Sequence, residues 1–272
     1  MLSGLYLLMS LGFALITGVT KVFNLAHGSL YMLCAYFIYS LSFLGLGASI
    51  LLSLIFTIIT GIIIYQFFIH PLREKKIGAA VVTLSLAIFF QALVNLIWGP
   101  KYKFIPSIIT SYTNIFGVRV ANQKLLSLIV AIILVIFLEL FINRTRIGKS
   151  IRAVAQNTEL AKLVGINTRN TFMVSMGISA LLAGFAAVLF APLHTVSASI
   201  WTILFRSFPV LILGGLGSLK GALVGAFIIA FTEKIIEFTV QESYLGQTIT
   251  FGVMLLIIFI KPEGIFGKKI YK

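Results

Sequence analysis

The chain has 272 residues, 60% of them hydrophobic and 10% charged, with 24 Phe and a mean hydropathy of +1.10. A soluble core cannot absorb that composition, whereas repeated runs of about 20 apolar residues can each cross a hydrocarbon layer roughly 30 Å thick. The net charge of +14 would suggest nucleic acid in a soluble protein, but the cations cluster between apolar runs, where membrane orientation and anionic lipid headgroups account for them.

The single cysteine, Cys34, excludes an intrachain disulfide and a cysteine metal cluster, and its apolar surroundings mark it as a small packed residue. Residues 2–19 form the first span. No basic stretch precedes it and its first cation, Lys21, follows it, so it reads as a retained span and not a cleaved signal, with the N-terminus outside. The stretch Lys21-Val22-Phe23-Asn24-Leu25-Ala26-His27-Gly28-Ser29 predicts broken helix geometry, which a membrane protein tolerates where protein or a watery cavity satisfies the backbone. Span two covers 30–44, Gly45-Leu46-Gly47 turns into span three at 50–69, and His70 to Lys76 is a cytoplasmic loop.

Span four, 79–98, carries Thr83, Ala87, Gln91 and Asn95 at four-residue intervals. That spacing puts them on one helix face, expected to point at protein or water. The loop 99–124 has two prolines, a turn at Asn114 to Gly117 with β-favouring flanks, and the cations Lys101, Lys103, Arg119 and Lys124. Span parity puts this loop outside, against the positive-inside rule.

Span five, 125–142, leads into the longest polar interruption, 143–171, where Arg144, Arg146, Lys149, Arg152, Lys162 and Arg169 face one acid, Glu159. Such cation excess places the loop in the cytoplasm. Within it Asn157 can cap a short helix over 158–164, and Gly165 can end it in a left-handed conformation. Span six, 172–191, keeps Ser175, Ser179, Ala183 and Ala187 in register, the pattern of a close packing seam. A segment at 201–213, too short to span, runs into Gly214-Gly215-Leu216-Gly217-Ser218-Leu219-Lys220-Gly221, and Gly217, Gly221 and Gly225 continue at four-residue spacing into a span at 222–238. The order of a phosphate-binding loop is absent, so these glycines predict a helix break and close packing. A last span, 248–260, ends in Lys261-Pro262-Glu263-Gly264 and a basic tail. The expected fold is an all-α polytopic membrane protein of eight to nine transmembrane helices including a short or broken one, with the C-terminus cytoplasmic and residues 1–272 forming one domain.

Four segments carry a family resemblance: Phe23 to Gly28 with Met32-Leu33 and Ala35-Tyr36; Arg152 to Asn157 through Gly165-Ile166; Gly214 to Gly221; and Lys261 to Gly267. They resemble the high-affinity branched-chain amino-acid transporter permeases of the LivH type. Glu159-Leu160-Ala161 followed by Gly165 also looks like the glutamate-alanine-alanine loop by which ABC importer permeases touch their ATPases, with Leu160 in place of the first alanine. The resemblance implies a cell-membrane permease, paired with a second, LivM-like permease, two cytoplasmic ABC ATPases and an external substrate-binding protein. ATP and Mg would then reside on the partner ATPases, with no cofactor and no catalytic residue on this chain. Asn157, Glu159, Ala161 and Gly165 of the loop 143–171 would couple to the ATPases.

Other classes fit less well. A secondary transporter usually places carboxylates inside its spans, whereas this chain has no Asp, and Glu139, Glu233 and Glu237 fall near span ends where snorkelling and Lys234 can accommodate them. A membrane enzyme or metal site needs clustered groups, and His27, His70 and His194 lie in separate segments. Asn24, His27, Ser29, Thr83, Gln91 and Asn95 form the candidate substrate path, with interhelical packing as the competing role, favoured for His27. A urea or short-amide permease would share the loop and glycine segments, so these leave the substrate open.

Overall fold

The computed structural model describes residues 1–115, 117–215, 219–240, 243–260 and Gly264. In hydrocarbon every backbone N–H and C=O has to be satisfied inside the protein, so long apolar runs become helices. They are α1 (Leu2–Thr20), α2 (His27–Leu41), α3 (Leu46–Ile64), α4 (Lys76–Trp98), α5 (Asn122–Arg144), α6 (Arg146–Gln156), α7 (Thr158–Leu163), α8 (Thr168–Phe190), α9 (Ile203–Gly214), α10 (Leu219–Val240) and α11 (Ser243–Ile260). A π-helical turn, Tyr65–Ile69, and a 3-10 turn, His70–Leu72, prolong α3. Among the described residues six helical segments are long and apolar enough to cross a membrane: those of α1, α2, α3, α4, α5 and α8. The 12 residues of α9, with Pro209 inside, reach only about 18 Å at 1.5 Å per residue.

At the centre stands α8, packed against α1, α2, α3, α5 and α6. Its seam residues Ser175, Ser179, Ala183 and Ala187 are all buried, as their spacing predicts. Close approach explains the small residues: a Cβ on Gly61 of α3 would lie 2.7 Å from Ala180 Cβ, and one on Gly184 of α8 would lie 2.8 Å from Leu54 Cδ2. The α9–α10 contact is tighter still, for a Cβ on Gly221 would meet Gly214 O at 1.8 Å and one on Gly225 would meet Val210 O at 2.8 Å. Gly215 adopts φ +88 as α9 ends. Gly217 lies outside the described residues, as do 261–263 and 265–272.

Contacts sort the connections into two ends. Lys103 and Val196 exchange backbone hydrogen bonds of 2.9 Å, and Gln123 Nε2 donates to Leu189 O at 3.1 Å, so the 99–121 loop, the start of α5 and the turn after α8 share one end. At the other, the Arg73 guanidinium sits 4.6 Å over the Phe172 ring, bringing the α3–α4 turn to the start of α8. This pairing matches the parity of the predicted spans. The predicted turn at Asn114 to Gly117 is also present: β1 (Tyr112–Ile115) pairs antiparallel with β2 (Val118–Ala121), and Gly117 has φ +82.

Several boundaries differ from the sequence reading, α11 for instance beginning at Ser243 and not at 248, and two differences bear on how the helices pack. Helix α2 begins at His27, three residues ahead of the predicted 30, because the preceding segment is drawn into the protein and not left at the membrane edge. Glu233 is not a snorkelling end residue. It is 6% exposed and accepts a 2.6 Å hydrogen bond from the Tyr6 hydroxyl, because α10 packs onto α1 and α9 and turns that position inward. Its neighbour Lys234 pairs with Glu237.

Candidate functional site

The polar loop after α5 folds as a chain of capped helices. Thr145 Oγ1 accepts Gly148 N–H at 2.9 Å to start α6, whose Ile151 and Val154 are buried. Asn157, extended at φ -151, ends α6, and its Oδ1 accepts the N–H groups of both Glu159 and Leu160 at 3.0 Å to start α7. Helix α7 stops one residue short of the predicted 164. Gly165 lies at φ +81 and Ile166 N–H returns to Ala161 O at 3.0 Å, a closure that satisfies carbonyls at the helix end. Asn167 Oδ1 then accepts Asn170 N–H at 3.0 Å and starts α8.

The structure separates the four predicted coupling residues by role. Asn157 caps, Gly165 terminates, and Ala161, buried, seats the helix against its neighbours. Glu159 pairs with Lys162 at 2.9 Å on the exposed side. Sequence reasoning missed what α7 offers to a partner: Leu160, Leu163 and Val164 are 59%, 82% and 75% exposed. The available signal was their spacing, since positions three and four apart share a helix face. These three aliphatic side chains, two on α7 and one at its C-terminal cap, form an exposed apolar patch between basic segments.

The second region is the break between α1 and α2. Helix α1 ends with Lys21 left-handed at φ 59, and Asn24, His27 and Ser29 are all buried. Thr83 of α4 holds the break: its Oγ1 accepts Leu25 N–H at 3.1 Å and lies 3.2 Å from Phe23 O. Ser179 Oγ donates to Gly12 O at 2.8 Å, which leaves its oxygen to accept Nδ1–H of His27 at 3.2 Å. The His27 ring lies against Gly12, where a Cβ would stand 2.8 Å from Cε1. A Cβ on Gly28 would stand 2.1 Å from Trp201 O, and the Trp201 indole N–H donates to Gln91 Oε1 at 2.7 Å. Around this junction Phe13 stacks with Phe23 at 6.1 Å and meets Phe208 edge-on at 5.0 Å.

Thr83, Gln91 and His27 therefore bind neighbouring helices. Asn24 Oδ1 and Ser29 Oγ are buried without a partner, and Asn95 is exposed and stands apart from the cluster. No group of three or more His, Cys, Asp or Glu among the described residues could hold a metal ion.

These helices and their apolar faces define a multi-pass protein of the cell membrane. The family model described as "Branched-chain amino acid transport system / permease component" matches residues 1–258, and the chain belongs to that family of transport permeases rather than to an enzyme family. It is 28% identical to the high-affinity branched-chain amino acid transport system permease protein BraD of Pseudomonas aeruginosa, over 97% of this chain and 92% of that one. It is 26% identical to LivH of Escherichia coli, a permease protein of the same description, over 98% and 92% of the two chains. The probable branched-chain amino acid transport permease protein LivM of Methanocaldococcus jannaschii is 27% identical over 83% of this chain and 70% of its own length. No solved structure matches the chain.

Proposed function

We propose that the chain is a transmembrane permease subunit of an ATP-driven ABC importer that passes branched-chain amino acids from an external binding protein into the cytoplasm. The observation that carries this reading, beside the family, is α7: a helix capped at both ends that exposes Leu160, Leu163 and Val164. Two cytoplasmic ABC ATPases would dock there, with MgATP bound and hydrolysed on those subunits. The likeness to LivM supports a second, related permease beside this one. Residues 143–171 then act as the coupling loop of a single 1–272 permease domain.

The connections suit a rigid transmission. Thr145 ties the end of α5 to α6, its hydroxyl donating to Phe141 O at 2.7 Å, and the connector after α7 is held at one end by Ile166 N–H on Ala161 O and at the other by the Asn167 cap of α8. A displacement of α7 would thus reach α8 and the helices packed on it, a rigid-body movement and not a local unwinding. Cation excess in the 143–171 loop supports placing that end in the cytoplasm, with the N-terminus outside, the C-terminus inside and eight to nine crossings. The unpartnered oxygens of Asn24 and Ser29 supply weak polar contacts beside the path, adequate where a binding protein provides the affinity.

Uptake by the reconstituted assembly of permeases and ATPases tests the function: labelled leucine should enter with ATP and binding protein, and urea should not. Uptake of urea alone would transfer the chain to the short-amide branch, and leucine uptake without ATP would replace the importer by a secondary carrier. Orientation is tested with single cysteines in a Cys34→Ala background. An impermeant reagent should reach Tyr112→Cys from outside in intact cells and spare Arg146→Cys; the opposite pattern inverts the topology.

A further inference from the structure

We propose that the membrane-facing groove between α3 and α8, headed by Tyr65, Arg73 and Arg169, is a site for an anionic phospholipid, with an acyl chain in the groove and the phosphate on the two guanidinium groups. This goes beyond the transport reading and rests only on the chain spanning a membrane. The groove has a volume of about 340 Å3 and is lined by apolar side chains alone, among them Ile58 and Ile62 of α3 and Met173 and Leu181 of α8. Gly177 forms its floor. A Cβ there would already touch Ile58 Cγ2 at 3.8 Å and Ile62 Cδ1 at 3.9 Å, so a longer side chain would fill the space. The lining positions recur four residues apart, and each helix therefore contributes one face.

The same two faces lead into charge. Arg169 precedes Met173, Gly177 and Leu181 in their four-residue register, and Tyr65 follows Ile58 and Ile62 by seven and three residues. The Tyr65 and Phe172 rings lie 6.1 Å apart, the Arg73 guanidinium sits 4.6 Å over the Phe172 ring, and the charges of Arg73 and Arg169 both act on the Tyr65 hydroxyl. That hydroxyl is buried with no hydrogen-bond partner. Neither arginine pairs with a carboxylate among the described residues, Glu74 included. A buried hydroxyl and two unpaired guanidinium groups suit an anion rich in acceptor oxygens. The depth is also right: the apolar segment Leu46–Leu72 has 27 residues, about 40 Å at 1.5 Å per residue, so beyond a hydrocarbon layer of about 30 Å its last turns stand among the headgroups. A soluble phosphate would answer the arginines and leave the groove bare. An apolar helix of a neighbouring permease would fill the groove and leave the arginines unpaired. A phospholipid satisfies both.

The test uses the complete transporter in detergent, titrated with a phosphatidylglycerol that carries a photoactivatable diazirine on one acyl chain, with the labelled peptides identified by mass spectrometry. In the wild type, label should fall on residues 58–62 and 173–181. Unlabelled phosphatidylglycerol should displace it at a concentration at least about fivefold below that of phosphatidylcholine, and a large excess of inorganic phosphate should leave it in place. The double variant Arg73→Gln, Arg169→Gln should lose at least about fivefold of this label. The double variant Lys149→Gln, Arg152→Gln, which removes the same charge from exposed positions of the 143–171 loop, should keep it. Gly177→Leu should lose label by filling the groove. Equal loss in the two double variants overturns the site in favour of general surface charge. Displacement by phosphate as readily as by phosphatidylglycerol makes it a free-anion site and overturns the lipid. Absence of label from these peptides in the wild type overturns the proposal outright, and a cross-link from Gly177→Cys, in a Cys34→Ala background, to a neighbouring permease would then give the groove to that chain. The wild-type competition decides even where a variant fails to assemble.

Discussion

Gly28 and Gly165 sit in the two regions that matter most to this chain, and they are glycines for different reasons. A side chain at Gly28 would drive into the Trp201 carbonyl at 2.1 Å, although its backbone is ordinary helix. At Gly165 a Cβ would meet nothing within 4 Å, but φ is +81, where an L-residue is strained. The break is specified by space: α1, α2, α4, α8 and the turn before α9 converge there, and each polar group is answered by another helix or left buried. The α7 loop is specified by backbone angles and caps, and its apolar side chains stay free. Substitutions in the first region should therefore register as folding, and in the second as coupling.

Gly28→Ala should produce the largest effect. The overlap is with backbone, which cannot swing aside, so α2 and the Trp201 turn must separate at a cost of about 3 kcal/mol or more. Thermal denaturation in detergent should show a large fall in Tm or no folded protein, whereas Gly18→Ala, with nothing within 4 Å, should match wild type. Gly28→Ala with a normal Tm would show that the junction is loose. Gln91→Leu comes next. It strands the buried Trp201 indole N–H, a loss of about 2 kcal/mol. If instead stability holds and transport per ATP falls, Gln91 belongs to the path and not to the packing.

On the α7 side the expected effects are smaller in stability. Gly165→Ala should cost about 1 kcal/mol of local left-handed strain, leaving the global Tm nearly unchanged while hydrolysis and uptake uncouple. A Tm fall as large as that of Gly28→Ala would erase the distinction between the regions. The smallest effect concerns the other end. Partial desolvation of a side chain that keeps an exposed face, then the nearby Lys234, Lys124 and Arg206, hold the His194 imidazole below its usual range. Because the folded protein then binds this proton less readily than the unfolded chain, stability is intact above the ordinary histidine value of about 6.5 and is lost as pH falls below it. Between about pH 7.5 and 5 the Tm should decline less in His194→Asn than in wild type; an identical decline would remove His194 from the account.

Much of this was readable in order along the chain because the bilayer imposes length and composition so strongly. The spans from 2–19 to 172–191, the hairpin at Asn114 to Gly117, the Asn157 cap and the Gly165 stop each rest on local rules of length, turn chemistry and capping, and the structure keeps them. What was not readable depends on which face a helix turns inward. Glu233 looked like an end residue until α10 docked on α1, and for Thr83 and Gln91 the spacing left path and packing both open, whereas the structure supplies each with a partner, Leu25 and Trp201. Asn95 continues their stripe in sequence, yet α4 carries it beyond the protein contacts into an exposed position. The exposed Leu160, Leu163 and Val164 were hidden for the opposite reason: in a chain this apolar three more aliphatics attract no notice until α7 proves to turn Ala161 inward and to leave them exposed.

The central claim is that α7 is the contact with the ATPase subunits, and a cross-link tests it most directly. Leu163→Cys in a Cys34→Ala background, in the complete membrane-embedded transporter, should form a cross-link to an ATPase subunit with a short thiol-to-amine reagent. Assembly should also shield it from maleimide relative to the permeases alone. A Leu163→Cys thiol that stays fully reactive in the assembled transporter and joins no ATPase would contradict the claim.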